Sequence, residues 1–267
     1  MRRLPKSIIG AGLLSLVFLY GPVIILIALS FNASPMGVTW QGFSLHWYEK
    51  LLADPSIIDA TINSLIIAVL STVLSLLLGL GAAIGLENQR GRHSPWLNSL
   101  ILVPLVIPEI LMGVALLLVF VLLQIPLGFG SIIIGHMIFN VPLTVVILRA
   151  RLRKFDPAWE DAARDLGADS WNVFTRITLP MLRPAIIGAA LLSFTVSLDD
   201  FVVTFFVAGP GATTLPLKVF SMIKTGITPE VNAISAIMVV VSMIFVGLSW
   251  LFQQRAHSTF MKNGPSF

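Results

Sequence analysis

Apolar residues occur in this chain in blocks rather than in stripes. Six stretches, at residues 8–30, 61–86, 97–123, 131–149, 182–207 and 232–252, are nearly unbroken runs of Leu, Ile, Val, Ala, Gly and Phe. Each is close to or above the roughly 20 helical residues that cross a hydrocarbon layer about 30 Å thick. A helix that is apolar on every side belongs in lipid or deep inside a bundle. The pattern therefore predicts an all-α integral membrane protein with six transmembrane helices. The first run follows Arg2, Arg3 and Lys6, as the core of a signal peptide would. It is longer than such a core and no A-x-A site follows promptly, so it is expected to be a retained helix.

Composition agrees with the pattern. Of 267 residues, 56% are hydrophobic and only 11% are charged, against roughly 25% charged in a soluble domain. The mean hydropathy is +0.92. No Cys is present, which removes disulfides, thiol nucleophiles and Cys-based metal sites. The four His residues, at 46, 93, 136 and 257, show no ligand spacing, so no metal site and no catalytic residue is expected. A pI near 9.8 need not imply nucleic acid, because the basic residues gather between the apolar runs. Arg2, Arg3, Lys6, Arg90, Arg92, Arg149, Arg151, Arg153, Lys154, Arg164, Arg176, Arg183, Arg255 and Lys262 fall on the side of the N-terminus, and Lys50, Lys218 and Lys224 on the other. Positive charge is retained on the cytoplasmic side. Both termini are thus expected in the cytoplasm, which requires an even number of spans. Trp40, Trp47, Tyr48, Trp96 and Trp250 lie near predicted boundaries, where interfacial aromatics anchor to lipid.

The connections differ in size. Residues 31–60 form a long outer loop, 124–130 a short one, and 215–227 read as a short interfacial helix. The inner connection 155–180 carries the most specific local signal. Asp156 suits an N-cap and Pro157 the first helical position. Gly167 suits a left-handed helix end. Asp169 or Ser170 can cap a second short helix with Trp171, Phe174 and Ile177 on its apolar side, and Pro180 begins the next span. A helix–turn–helix with small Ala residues and exposed aromatics is expected to dock a soluble partner. An amphipathic hairpin lying on membrane lipid is the alternative.

This connection resembles the EAA loop of binding-protein-dependent ABC importers, E-A-A-x₃-G-x₉-I-x-L-P. It appears as Asp161-Ala162-Ala163, Gly167, Ile177, Leu179 and Pro180, with Asp161 in place of the first Glu and Glu160 beside it. Further stretches are similar to spermidine/putrescine permeases of the C type. They are Ser30-Phe-Asn, Trp40-Gln-Gly-Phe, Trp47-Tyr48, Ala162-Ala-Arg-Asp-Leu-Gly-Ala168, Leu192-Ser-Phe-Thr-Val-Ser-Leu-Asp-Asp200 and Pro229-Glu-Val-Asn-Ala233. The resemblance implies a MetI-like permease of a type I ABC importer in the bacterial inner membrane. It divides the chain into a first helix with its periplasmic loop (1–59), a MetI-like transmembrane domain (60–254) and a cytoplasmic tail (255–267). It further implies a B-type permease partner, two ATP-binding subunits and a periplasmic substrate-binding protein. ATP and Mg would sit on the ATP-binding subunits, and this chain would bind no cofactor; it contains no G-x-x-x-x-G-K-[ST]. Glu160, Asp161, Ala162, Ala163, Gly167, Ile177, Leu179 and Pro180 are the implied ATPase-coupling residues.

Three acids interrupt the apolar runs: Glu109, Asp199 and Asp200. An ionised carboxylate at mid-bilayer costs about 2.5–3.5 kcal/mol on insertion scales. No basic residue of the chain is expected at that depth, so a cationic substrate such as a polyamine would relieve the cost. Glu109 is expected near the middle of the third span, beside Pro104 and Pro108, which can kink or break it. Ser193, Ser197, Asp200 and Thr204 share one helical stripe, with Asp199 rotated away. Asp200 is therefore expected to face the substrate pathway and Asp199 to form a second wall, with Ser197 and Asn140 extending the polar lining. Asp54, Asp59 and Glu230 are candidates for attracting a basic substrate or docking the binding protein. The competing functions are an ABC permease for an opine, amino-acid derivative or metal chelate, and a proton-coupled secondary transporter. An intramembrane enzyme lacks a metal cluster or a Ser–Lys pair.

Overall fold

The structure, a computed structural model, describes residues 6–35, 39–88, 95–226 and 228–263. Arg2, Arg3, Arg90 and Arg92 of the charge count, and Ile227 of the expected 215–227 helix, lie outside them. The described residues are helical apart from turns and one isolated bridge between Asn32 and Phe43. Twelve α-helices follow in order: α1 (Lys6–Leu29), α2 (His46–Ala53), α3 (Pro55–Asn88), α4 (Pro95–Leu102), α5 (Glu109–Leu122), α6 (Phe129–Leu152), α7 (Ala158–Asp165), α8 (Ser170–Val173), α9 (Leu179–Asp199), α10 (Val202–Val207), α11 (Leu215–Thr225) and α12 (Pro229–Asn263). Five helical stretches are long and apolar enough to span a bilayer, and a bent pair brings the number to six.

That bent pair lies where one span is expected at 97–123, and the helix is broken there. The segments Trp96–Leu105 and Glu109–Leu122 meet at 103°. Pro104 and Pro108 lack the N–H that would continue the ladder, and a short 3₁₀ turn at Val103–Leu105 fills the gap. Glu109 accordingly opens the first turn of α5, at the break of the bent pair. The span expected at 61–86 is also longer. Its helix begins at Pro55, where the Asp54 carboxylate accepts from the Ser56 N–H at 2.8 Å and hydroxyl at 2.7 Å. Those donors hold Asp54 below the usual carboxylate range.

The chain forms two compact units, one of Met1–Ala60 with Leu215–Val241 and one of Thr61–Thr214 with Ser242–Phe267. In the first, α1 leaves its apolar side chains exposed along most of its length. The connection after it is held by Asn32. Its side chain accepts from the Ser34 and Gln41 N–H groups and donates to the Thr39 carbonyl, and its carbonyl accepts from Trp47 Nε1 at 2.7 Å. Tyr48 reaches Ser30 at 2.6 Å. Trp47 and Tyr48, expected as lipid anchors, are thus internal fasteners of this loop. Trp47, Leu51, Ile57, Leu215, Ala233 and Ile234 form the core of this unit, and Lys50 pairs with Glu230.

The second unit packs α6 against α9, and α10 against α5 and α6. Its core is Ile67, Met112, Leu116, Phe120, Ile132, Val203 and Val207. Glycine permits the closest approaches, as expected where van der Waals packing holds helices together. A Cβ on Gly79 would lie 2.6 Å from Thr144 Cγ2, and one on Gly209 would lie 2.1 Å from the Leu127 carbonyl oxygen. Backbone cannot yield as a flexible side chain can. Gly209→Ala is therefore expected to destabilise this unit by about 1–3 kcal/mol, read as a lowered unfolding temperature of the detergent-solubilised protein.

Candidate functional site

The connection between α6 and α9 adopts the helix–turn–helix expected of it. Asp156 Oδ1 accepts from the Ala158 N–H at 3.0 Å. Gly167 ends the first helix with φ +86, and its N–H donates to the Arg164 carbonyl at 2.9 Å. Asp169 caps α8 by accepting from the Asn172 N–H at 2.9 Å. The Asn172 backbone and side-chain donors hold Asp169 below the usual carboxylate range. Its capping contribution is present at neutral pH and is lost as pH falls through that lowered value.

Within α7, Arg164 bridges Glu160 at 3.2 Å and Asp161 at 3.1 Å. Glu160 also accepts from the Thr178 hydroxyl at 2.7 Å, which ties α7 to the base of the next helix. Trp159, Leu166 and Trp171 remain exposed, Leu166 at 90%. Beside Trp159 opens a cavity of about 420 Å³ whose lining includes Glu87, Phe155, Trp159, Glu160, Phe174 and Thr178. Glu87 is held by Arg149 at 3.2 Å and Arg153 at 3.4 Å.

One expectation fails in this region. A separate short helix followed by a span from 182 is replaced by one helical rod over Ser170–Asp199. A π turn at Phe174–Thr178 joins α8 to α9, with the Leu179 N–H donating to the Phe174 carbonyl. The widened turn accommodates Pro180, which has no N–H to donate. Ile177, Leu179 and Pro180 therefore belong to the rod.

The intramembrane acids are placed differently from one another. Asp199 ends α9; it is exposed, and its carboxylate accepts from the Ser242 hydroxyl at 2.6 Å. Glu109 is exposed as well. Among the described residues, no Lys, Arg or His ion pair involves either. Asp200 reverses its expected role. The helix breaks after Asp199, and the Asp200 side chain, 7% exposed, turns into the unit. Its Oδ2 accepts from the Thr204 N–H at 2.8 Å and hydroxyl at 2.7 Å and lies 3.1 Å from His136 Nε2.

The Ser193, Ser197 and Thr204 stripe exists, but it faces inward and all three are buried. His136 Nδ1 is 2.6 Å from Ser197 Oγ, which is 2.9 Å from Ser71 Oγ. Asn140, expected on a pathway lining, is fully buried one turn beyond His136. The helices α3 and α6 face each other at Gly79 and Thr144 and again at Glu87 and Arg149. By helical spacing Ser75 and Asn140 fall on the rung before Thr144, and their polar side-chain atoms have no hydrogen-bond partner among the described residues. Small residues let these helices close, and closure turns the polar ladder into an interior seam. Sequence reasoning missed His136 because it searched the His residues for metal-ligand spacing. The available signal was a His one turn before Asn140 in an apolar span, since intramembrane ionisable groups are functional candidates by default.

Apolar helices, two of them broken beside surface carboxylates, and an exposed helix–turn–helix agree with a membrane transport subunit. The family described as binding-protein-dependent transport system inner membrane component matches residues 75–262, and the chain belongs to that family. It is 42% identical over 234 residues to the spermidine/putrescine transport system permease protein PotC of Escherichia coli K12, covering 88% of this chain and 89% of that one. It is 41% identical over 251 residues to the putrescine transport system permease protein PotI of the same organism, covering 91% and 89%. In fold it is similar to a chain of a bacterial ABC transporter involved in the import of the acidic polysaccharide alginate. The TM-score is 0.65 at 15% identity, with 94% of each chain covered.

Proposed function

We propose that this chain is one half of the membrane path of an ATP-driven importer of polyamines, spermidine or putrescine. It pairs with a second, B-type permease above two ATP-binding subunits, which hold ATP and Mg, and receives substrate from a periplasmic binding protein. Both termini lie in the cytoplasm, and α7 and α8 dock on the ATP-binding subunits. Glu160, Asp161, Ala162, Ala163 and Gly167 build that docking turn.

One observation carries the choice of cargo. Glu109 and Asp199 are surface carboxylates at helix ends within apolar segments, with no ion pair to this chain's own basic residues among those described. Two ionised acids at membrane depth cost about 5–7 kcal/mol if uncompensated. An alkylammonium group supplies the counter-charge each acid needs, and the methylene stems of a polyamine suit apolar surroundings. The high identity to relatives named for spermidine and putrescine supports the same cargo. Asp200 and Ser197 serve the path from inside the chain rather than from its wall.

The test is the assembled importer in proteoliposomes, with ATP hydrolysis and uptake measured for spermidine, putrescine, a neutral sugar and an acidic amino acid. Stimulation and uptake confined to the amines is the expected result. A different preferred class, or uptake by this chain alone, overturns the reading.

A further inference from the structure

We infer that His136 is the positioning residue of the intramembrane site: it holds the Asp200 carboxylate inside the chain at the α9–α10 break and so leaves Asp199 as the acid that meets a cation. The inference rests on the cation-import reading above.

Adjacent acids at a helix end are chemically equivalent until their surroundings separate them. Asp199 is exposed and, among the described residues, accepts a hydrogen bond from the Ser242 hydroxyl alone. Asp200 is turned inward with three donors at one oxygen, from Thr204 and His136. A buried carboxylate is stable only when hydrogen-bonded and paired. Thr204 supplies two of the donors from α10, the helix Asp200 introduces, and would follow the acid wherever α10 goes. The imidazole, on α6, is the contact that fixes the acid to a different helix. Its own freedom is removed at both nitrogens: Nδ1 lies 2.6 Å from Ser197 Oγ on α9, and Nε2 lies 2.9 Å from Thr204 Oγ1 on α10. Ser197 is bonded in turn to Ser71 on α3. The ring is 1% exposed and lies 5.5 Å from Phe139. Among the described residues, Asp200 is the one ionisable group bonded to it. Three helices thus meet at one imidazole, and α3 joins them through Ser197.

Removing the imidazole leaves Asp200 buried without its interhelical partner. The acid then protonates or turns outward and competes with Asp199 for the cation. The defect lies in the stranded carboxylate, so replacing that carboxylate should repair it. A ring that only filled space would leave a packing fault that an Asn at 200 could not mend.

The assembled importer is compared in proteoliposomes as wild type, His136→Leu, His136→Gln, Asp200→Asn and the His136→Leu/Asp200→Asn double variant, using spermidine uptake and spermidine-stimulated ATP hydrolysis. His136→Leu is expected to lower uptake at least 10-fold. His136→Gln, which keeps a donor, should stay within about 3-fold of wild type. The double variant should recover to the level of Asp200→Asn alone. If His136→Leu fails to accumulate in membranes, accumulation of the double variant tests the same repair. Near-normal uptake by His136→Leu, or a double variant no better than His136→Leu, overturns the positioning role. Wild-type complexes that ignore spermidine would overturn the import reading instead, so the two failures are distinguishable.

Discussion

Gly167→Pro is expected to abolish coupled uptake while ATP hydrolysis by the assembled complex continues. The turn between α7 and α8 holds Gly167 at φ +86, and proline is confined near −65°. Proline also lacks the N–H that Gly167 donates to the Arg164 carbonyl at 2.9 Å. A Cβ at Gly167 meets nothing within 4 Å, so Gly167→Ala isolates the backbone effect at about 1–2 kcal/mol of left-handed strain. A graded series is expected: full uptake for Gly, reduced uptake for Ala, and at least a 10-fold loss for Pro. Reconstituted uptake and ATPase rates measured side by side decide it. Normal uptake by the Pro variant would remove this turn from energy coupling.

Asp199→Asn and Glu109→Gln should each raise the half-saturating polyamine concentration or lower uptake by at least 10-fold. Both side chains are exposed on the chain's surface. Each substitution removes one charge with little change of shape. A carboxylate and an ammonium at 4 Å interact by about 4 kcal/mol at an effective dielectric of 20. Desolvation takes back part of that, so one to two powers of ten are expected. Because a polyamine carries spaced charges, the double variant should lose more for spermidine than for a monoamine of similar length. Equal losses for both amines would count against direct charge pairing. Unchanged kinetics in both single variants would remove these acids from the path.

Much of the architecture was legible in the chain. Blocks of apolar residues mark the spans because lipid imposes length and composition on them directly. The turn at Gly167 was legible because a left-handed position selects glycine. The site was only half legible. In a membrane the side of a helix facing its own bundle and the side facing lipid are both apolar, so periodicity does not tell inside from outside. Asp200 and Asn140 were read as lining a pathway for that reason, whereas the packing of their helices turns both side chains inward. The 103° bend between α4 and α5 was foreshadowed by Pro104 and Pro108, but its size depends on tertiary packing. The π turn was not foreshadowed, because nothing in residue type distinguishes a five-residue ring from a four-residue one.

The helical rod from Ser170 to Asp199 has a mechanical consequence. Its middle is gripped: Leu182, Ala185 and Ala189 are buried, and the Gly188 carbonyl accepts from Ser249 of α12 at 2.8 Å. Its two ends are the helix α8, proposed above to dock on the ATP-binding subunits, and the exposed Asp199. At 1.5 Å per residue, the arm from the grip to Trp171 is about 25 Å and the arm to Asp199 about 17 Å. A tilt of about 10° around the grip then shifts the docking end by about 4 Å and the carboxylate by about 3 Å in the opposite direction. Such a seesaw needs no relay of side chains. The stroke of an ATPase would reach the cargo's counter-charge through one stiff beam, geared down by the ratio of its arms.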